Sequence, residues 1–351
     1  MGKTAYAQAG VDLALGNQVK AGLSRLLKSA SRPEVLGKVG GFGGLFALKT
    51  GKYKNPVLVS SVDGVGPKLK VAFAMNRHHT IGQDLVNHCV DDIAVLGAEP
   101  LFFLDYLGTG VLEPNVFGQI IAGFALGCAE NNCALIGGET AQMSTFYKKG
   151  EYDVSGTIVG VVEKSSMLDG RGIKPGDAVI GIASSGLHTN GYSLARKVFF
   201  ETMKLKPRSR VPDLGCSVGD ELLKIHVSYG PLVQALLKSF NKPRRTRAIK
   251  GLAHITGGGF IDNIPRVLPK NCSVTIRQGT WPGLPVFDLI QKHGKVSTTE
   301  MHQVFNMGIG MTAIVSGPKS DGILRSIRRR GHSAWIIGDV TKGRGKVKLT
   351  T

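Results

Sequence analysis

Asp63 sits where an apolar run, Val57-Leu58-Val59, gives way to glycine: Gly64 and Gly66 follow it, then Lys68 and Lys70. Glu139 repeats the arrangement behind Ala134-Leu135-Ile136 and the pair Gly137-Gly138. Between them Asp84, Asp91 and Asp92 fall in a stretch of helical periodicity, with Asp84 and Asp91 seven apart and so on one face. Carboxylates of this kind are the hard oxygen ligands that Mg²⁺ takes when it shares a site with phosphates. Glycines beside them let backbone N–H groups approach an anion. Each piece alone also has a plain reading, a tight Asp-Gly turn or solvated acids on a helix. The repetition is what points to a metal–phosphate site.

Three further stretches put polar groups on glycine-rich backbone. Val39 to Leu45 holds Gly40, Gly41, Phe42, Gly43 and Gly44, either a flap whose N–H groups fold over a polyphosphate or a surface loop. Ser184 to Gly191 brings Ser185, His188, Thr189 and Asn190 to a helix start, as a polar-ligand cradle or as capping by Asn190. His254 to Phe260 places Thr256 and the glycines Gly257, Gly258 and Gly259 at another helix start, which suits a phosphate.

The elements that must hold these groups can be read from periodicity. Strands are expected at 57–59, 101–106, 134–136, 153–162, 178–183, 311–315 and 334–340. Helices are expected at 18–29, at 80–96, from 113–114 to 131–132, from 192, and over 261–267. At 169–177 the composition turns to Asp, Gly, Arg, Lys and Pro, which predicts two domains, 1–168 and 169–351. The fold class is α/β (mixed with α+β), with glycine-rich polar turns at the strand ends of both halves. No G-x-x-x-x-G-K-[ST] loop occurs, no G-x-G-x-x-G follows a strand, and there is no G-x-S-x-G elbow.

With 42% apolar and 20% charged residues, the chain can bury a substantial core. No apolar run approaches the roughly 18 residues that span a bilayer. The start lacks the apolar stretch of a signal peptide, and the five cysteines contain no C-x-x-C, which predicts reduced thiols and a cytoplasmic location. The net charge is +19, and residues 241–351 carry 19 Lys and Arg against 5 Asp and Glu. Runs at Lys242 to Arg247, Arg328 to Arg330 and Lys342 to Lys348 supply most of it. They lack interleaved aromatics, so they read as a solvated basic surface that steers anionic substrates rather than as a nucleic-acid surface.

The strings YAQAGVDLALGN, RPEVLGKVGGFGGLFAL, SSVDGVGPKLK, IGQDLVNHCVDDIAVLGAEPLFFLDYLGTG, IGGETAQM, YDVSGTIVGVVEK, SSGLHTNGYSL, HITGGGFIDNIPRVLP and FNMGIGM run in order from about residue 6 to 340. Together they resemble the phosphoribosylformylglycinamidine cyclo-ligase (aminoimidazole ribonucleotide synthetase) family of purine biosynthesis. The resemblance implies a ligase that uses ATP and Mg²⁺ to close formylglycinamidine ribonucleotide into 5-aminoimidazole ribonucleotide. It implies two domains facing across a cleft, and a homodimer whose N-terminal sheets pair into a β-barrel. It places Asp63, Asp92 and Glu139 around the metal. Gly41, Phe42, Gly43, Gly44, Lys68 and Gly138 join these three acids around ATP. Ser185, His188, Thr189, Asn190, Thr256, Gly257, Gly258 and Gly259 fall on the substrate, with Asp63, His188 and Asn190 as catalytic candidates.

Two departures stand out. Pro67 replaces the family's threonine after D-G-V-G, and Val227 and Pro231 stand where arginine and lysine are usual, with Tyr229 kept. Selenophosphate synthetase, thiamine-phosphate kinase and the glutamine-dependent amidotransferase of the preceding step share the architecture. The first needs a reactive Cys or selenocysteine near the N-terminus, and the first cysteine here is Cys89. The kinase lacks these forms of HITGGGF and FFLDYLGTG, and the amidotransferase is far longer. A basic RNA-binding derivative is the alternative outside enzymes.

Overall fold

Alternating burial along β1 (Pro56–Gly64) marks a strand with one face on a core and one face open. The computed structural model describes residues 26–36, 43–241 and 247–350, together with Leu15 and Gln18. β1 joins β2 (Glu99–Thr109), β3 (Ala134–Gln142) and β4 (Tyr152–Glu163) in a sheet of order β1-β4-β2-β3. β1–β4 and β4–β2 are antiparallel, and β2–β3 is parallel. The parallel pair needs a crossover, which is helix α3 (Pro114–Glu130), begun by proline at its first turn. Helices α1 (Leu69–Met75) and α2 (His79–Ala94) precede it in the chain, and α2 and α3 pack together on the closed face of the sheet.

The second half is built on a six-stranded sheet. Its strands are β5 (Ala178–Ala183), β8 (Ile249–His254), β9 (Cys272–Arg277), β10 (Ile309–Val315), β11 (Ala334–Lys342) and β12 (Val347–Thr350), with β6 (Arg210–Val211) and β7 (Cys216–Ser217) as a separate short ladder. The order is β12-β9-β11-β5-β10-β8, and only β12–β9 runs parallel. The helices are α4 (Tyr192–Arg196), α5 (Val218–Leu222), α6 (Gly230–Phe240), α7 (Gly259–Asn263), α8 (Pro285–Gly294), α9 (Thr298–Val304) and α10 (Ser320–Arg329). Leu232, Val233 and Leu236 of α6 and Ile323 and Ile327 of α10 cover one face of this sheet. Phe260, Ile264 and Trp281 cover the other. β10, buried at every position, is apolar apart from Thr312 for that reason.

Several expectations change. Asp63 and Gly64 are the last residues of β1, not a turn after it, and Gly137 to Thr140 lie inside β3. Both sheets are largely antiparallel, so the acids do not sit beyond the carboxyl ends of parallel strands. Most of the expected helix at 18–29 lies outside the described residues; Leu27–Ala30 forms a 3₁₀ turn. The 261–267 stretch divides into the end of α7 and a 3₁₀ turn, Ile264–Val267. Among the described residues no helix is long and apolar enough to cross a membrane.

Candidate active site at the seam between the two halves

α2 carries both halves. Every residue from Thr80 to Asp91 is buried, because the N-terminal sheet lies on one side of the helix and the C-terminal half on the other. A buried polar group without a partner costs about 1–3 kcal/mol, so the acids on α2 need partners built for them. Asp84 pairs with Lys68 at 2.8 Å and accepts the His226 N–H at 2.8 Å. The Lys68 ammonium also donates to the carbonyls of His188, at 3.1 Å, and Lys224, at 2.7 Å. Burial pulls Lys68 down and pushes Asp84 up, and the ion pair opposes both. Lys68, expected at the nucleotide, is instead fully buried with its donors taken, and it ties the two halves together. Asp91 accepts the Tyr229 N–H at 2.7 Å, at the start of α6, where a carboxylate offsets the unpaired N–H groups of a helix end. Burial raises its carboxyl well above the ordinary range.

The last acid of α2 belongs to a different structure. Asp63 Oδ2 takes a hydrogen bond from His88 Nε2 at 2.8 Å, and His88 Nδ1 lies 2.7 Å from Thr189 Oγ1. Thr189 Oγ1 is 3.2 Å from His226 Nδ1, and His226 Nε2 is 3.1 Å from His254 Nε2. His254 Nδ1 then donates to Asp92 Oδ1 at 2.9 Å. Five contacts need five hydrogens, and the four neutral side chains between the acids supply one each. The chain is complete only with one further proton, which belongs on His88. Burial lowers that imidazole, but the Asp63 bond and charge and the Asp92 charge outweigh it and set it above its ordinary value. Burial keeps His254 low despite Asp92, and burial with neighbouring cations pushes His188 and His226 well down. Asp92 goes the other way: burial raises it, and His254, His88 and Ser61 lower it further, leaving it below the ordinary carboxylate value.

Asp63 and Asp92 remain half-open, with side chains 36% and 28% exposed, while the imidazoles behind them are 5% and 3% exposed. Among the described residues, their other oxygens accept only the Gly64 N–H, at 2.7 Å, and the Ser61 hydroxyl, at 3.0 Å. This is an oxygen donor pair, backed by hydrogen-bonded imidazoles, of the type that suits Mg²⁺. A second grouping, His188, His226 and His254, brings three nitrogens within 4.8 Å. The His188 and His226 rings stack at 4.0 Å and 24°, which aims their lone pairs side by side rather than at one point.

Glu139 is not part of this pair. The register row Asp63–Gly156–Asp105–Gly138 crosses the whole sheet, so Gly138 lies three strand spacings, roughly 14 Å, from Asp63. Glu139, one residue on, points to the opposite face, is exposed, and accepts its neighbour Thr140 N–H. The three expected metal acids are therefore two and one within a single chain. Asp105 occupies the row beside Gly138, and a Cβ at Gly138 would fall 2.3 Å from its Oδ1. Burial, with a smaller push from Glu139, raises Asp105 to about 7.

The two C-terminal strings do meet. A Cβ at Gly257 would stand 3.3 Å from Asn190 Oδ1, and Asn190 Nδ2 and His188 Nδ1 are buried without a partner among the described residues. His188 adopts φ +62° and accepts the Ser185 N–H at 3.3 Å on Nε2. Gly258 and Gly259 have φ +96° and +53°, and a Cβ at Gly259 would strike the His302 carbonyl at 2.0 Å, so this turn needs glycine. Thr256 Oγ1 contacts Asn263 at 3.4 Å. Thr189, expected on the substrate, is committed to His88 and His226. Gly41 and Phe42 lie outside the described residues. Gly43 and Gly44 are exposed, and Gly44 lies against Ile136.

The sequence reading did not single out His88, His226, His254 or Asp105. His88 had a signal: it is four residues from both Asp84 and Asp92, so it shares their helix face. The departures also find places. Pro67 stands in the first turn of the 3₁₀ helix Gly66–Lys68, where no N–H is required. Val227 packs on the C-terminal core, and the group that its stretch brings to the seam is His226.

Two family models match the chain: AIR synthase related protein, N-terminal domain, over residues 48–162, and AIR synthase related protein, C-terminal domain, over 174–350. A phosphoribosylformylglycinamidine cyclo-ligase of Trichlorobacter lovleyi is 52% identical over 96% of this chain and 95% of its own length. That of Geobacillus thermodenitrificans is 48% identical over 97% and 96%. Among solved structures, thiamine-monophosphate kinase from Stenotrophomonas maltophilia matches with TM-score 0.67 at 16% identity, covering 97% of this chain and 96% of that one. The hydrogenase maturation protein HypE in complex with ATP gives 0.65 at 17%, covering 94% and 90%. Those two share the fold. Half of all positions in common over nearly the full length is a closer tie, and the chain belongs to the phosphoribosylformylglycinamidine cyclo-ligase family.

Proposed function

We propose that the chain catalyses the ATP-dependent closure of formylglycinamidine ribonucleotide to 5-aminoimidazole ribonucleotide, with release of ADP and phosphate. The γ-phosphoryl group of ATP passes to the formyl oxygen, which becomes a leaving group. The amidine nitrogen attacks the same carbon, the carbon–oxygen bond breaks as phosphate departs, and the nitrogen loses a proton. The observation that carries this reading is the meeting of two open carboxylates, Asp63 and Asp92, with the unpartnered Asn190 amide and the glycine turn across one seam. Asp63 and Asp92 would hold Mg²⁺, which neutralises charge on the phosphates. Asn190, His188 Nδ1 and the N–H groups of Gly257 and Gly258 are assigned to the ribonucleotide, with the halves divided at 168/169; the Gly259 N–H is taken by the Thr256 carbonyl at 3.0 Å and only shapes the turn.

The open face of the N-terminal sheet supports a homodimer. Leu58 and Val62 are 62% and 66% exposed there, and the register puts Val159, Phe102, Leu104 and Tyr106 on the same side. An apolar sheet face of this extent is covered by a partner, and Glu139 faces the same side. A cytoplasmic location is the reading that goes with a nucleotide-biosynthesis reaction of this kind.

Purified protein incubated with ATP, Mg²⁺ and formylglycinamidine ribonucleotide should form a diazotisable aminoimidazole one-for-one with ADP. ADP without the aminoimidazole would overturn the reading. Light scattering should give twice the 37.3 kDa chain mass, and Leu58→Glu should return it to the monomer value.

A further inference from the structure

The hydrogen-bonded run from Asp63 to Asp92 belongs to neither half alone. Asp63, His88 and Asp92 come from the first sheet and α2, and Thr189, His226 and His254 come from the second half. Within the first half Asp63 keeps His88 and the Gly64 N–H, and Asp92 keeps Ser61. The links that fix His88 from behind and hold Asp92 on its other oxygen arrive only with the second half. His226 is itself placed by α2: its N–H goes to Asp84 at 2.8 Å and its carbonyl accepts Asn87 Nδ2 at 2.7 Å. Thr189 is the narrowest point, one hydroxyl that must donate on one side and accept on the other.

We propose that Thr189 and His226 are positioning residues that orient Asp63 and Asp92 through His88 and His254 only while the two halves are docked. Docking and assembly of the acid pair are then one event. The inference rests on the reading of Asp63 and Asp92 as the acids that hold the nucleotide's metal. It assigns metal affinity to two side chains that do not face the phosphates, and it moves Thr189 from the ribonucleotide to the seam.

The test is the Mg²⁺ concentration for half-maximal binding of a non-hydrolysable ATP analogue to the full-length protein, read beside the KM for formylglycinamidine ribonucleotide. Thr189→Val keeps the shape and removes both links. It should raise the Mg²⁺ midpoint about tenfold and leave the ribonucleotide KM within about twofold, as loss of an outer-shell partner does. Thr189→Ser restores the hydroxyl and should restore the midpoint. An unmoved midpoint, or a rise in ribonucleotide KM alone, overturns the proposal. Asp63→Asn and Asp92→Asn run in parallel. If neither shifts the midpoint, the metal reading itself has failed; if both do and Thr189→Val does not, only the positioning role has. Should Thr189→Val not fold, His226→Gln is read on the same scale, with a shift in support and none against.

Discussion

Asp63 and Glu139 lie on the two edge strands of one four-stranded sheet, each next to glycine, and the fold uses them in opposite ways. Asp63 faces α2, where His88 holds one oxygen and a chain of imidazoles reaches Asp92. Glu139 faces the open side, exposed, with its own neighbour's N–H as its hydrogen bond. One acid is pre-oriented before any ligand arrives, and the other is free to move. A preorganised carboxylate contributes more to a charged site, because the cost of orienting it was met in folding.

The sharpest way to break that comparison is to neutralise each acid. Asp63→Asn should lower kcat/KM for aminoimidazole formation by at least about 100-fold, the several kcal/mol of charge stabilisation a metal-holding carboxylate supports. Glu139→Gln should cost about tenfold or less. Equal losses in steady-state assays would mean that Glu139 reaches the same phosphates from a second copy, and preorganisation would not separate the two.

How much of this could be read along the chain follows from what periodicity encodes. The apolar run into Asp63, the period of α2 and the string before Gly257 are local, and they placed β1, α2 and the glycine turn. Sheet order is not local. Nothing in the strings at 57–64 and 134–140 says that two strands stand between them, or that Asp63 and Glu139 face opposite ways. Lys68 and Lys70 make the same point at a spacing of two. The first is wholly buried against Asp84, and the second reaches Glu151 at 2.7 Å at the surface. The histidine chain draws on four separate stretches, so only packing reveals it.

Asp105 sharpens the comparison, because it shares the row of Asp63 but is next to the strand of Glu139 and has no imidazole behind it. Burial lifts its carboxyl from 3.8 to about 7. Between those values the folded state holds a proton that the unfolded chain has released, so stability falls as pH rises through the window. Above pH 7 the full penalty stands. Asp105→Asn should therefore be more stable than the parent by about 2–4 kcal/mol at pH 8, with the difference shrinking towards pH 4. Urea midpoints across that range read it directly, and a difference independent of pH would show that the carboxyl is not the cause.

The smallest effect separates the two glycines that accompany these acids. At Gly138 a Cβ would fall 2.3 Å from Asp105 Oδ1 and 2.5 Å from the Asp105 carbonyl. The carbonyl is backbone within the β2–β3 ladder and cannot turn aside. Gly138→Ala should cost about 1–3 kcal/mol, the range for forcing an extra methyl into a packed site. At Gly64 the nearest atom is the Val154 carbonyl at 3.3 Å, and the residue is not in the left-handed region. Gly64→Ala should cost less than about 1 kcal/mol. Asp105→Ala combined with Gly138→Ala should recover part of the loss, because it removes the carboxylate clash and leaves the carbonyl one. Equal urea midpoints for the two single variants would mean that β3 can slide away from Asp105, and the fixed row from Asp63 to Gly138 would be lost as the frame for comparing the two acids.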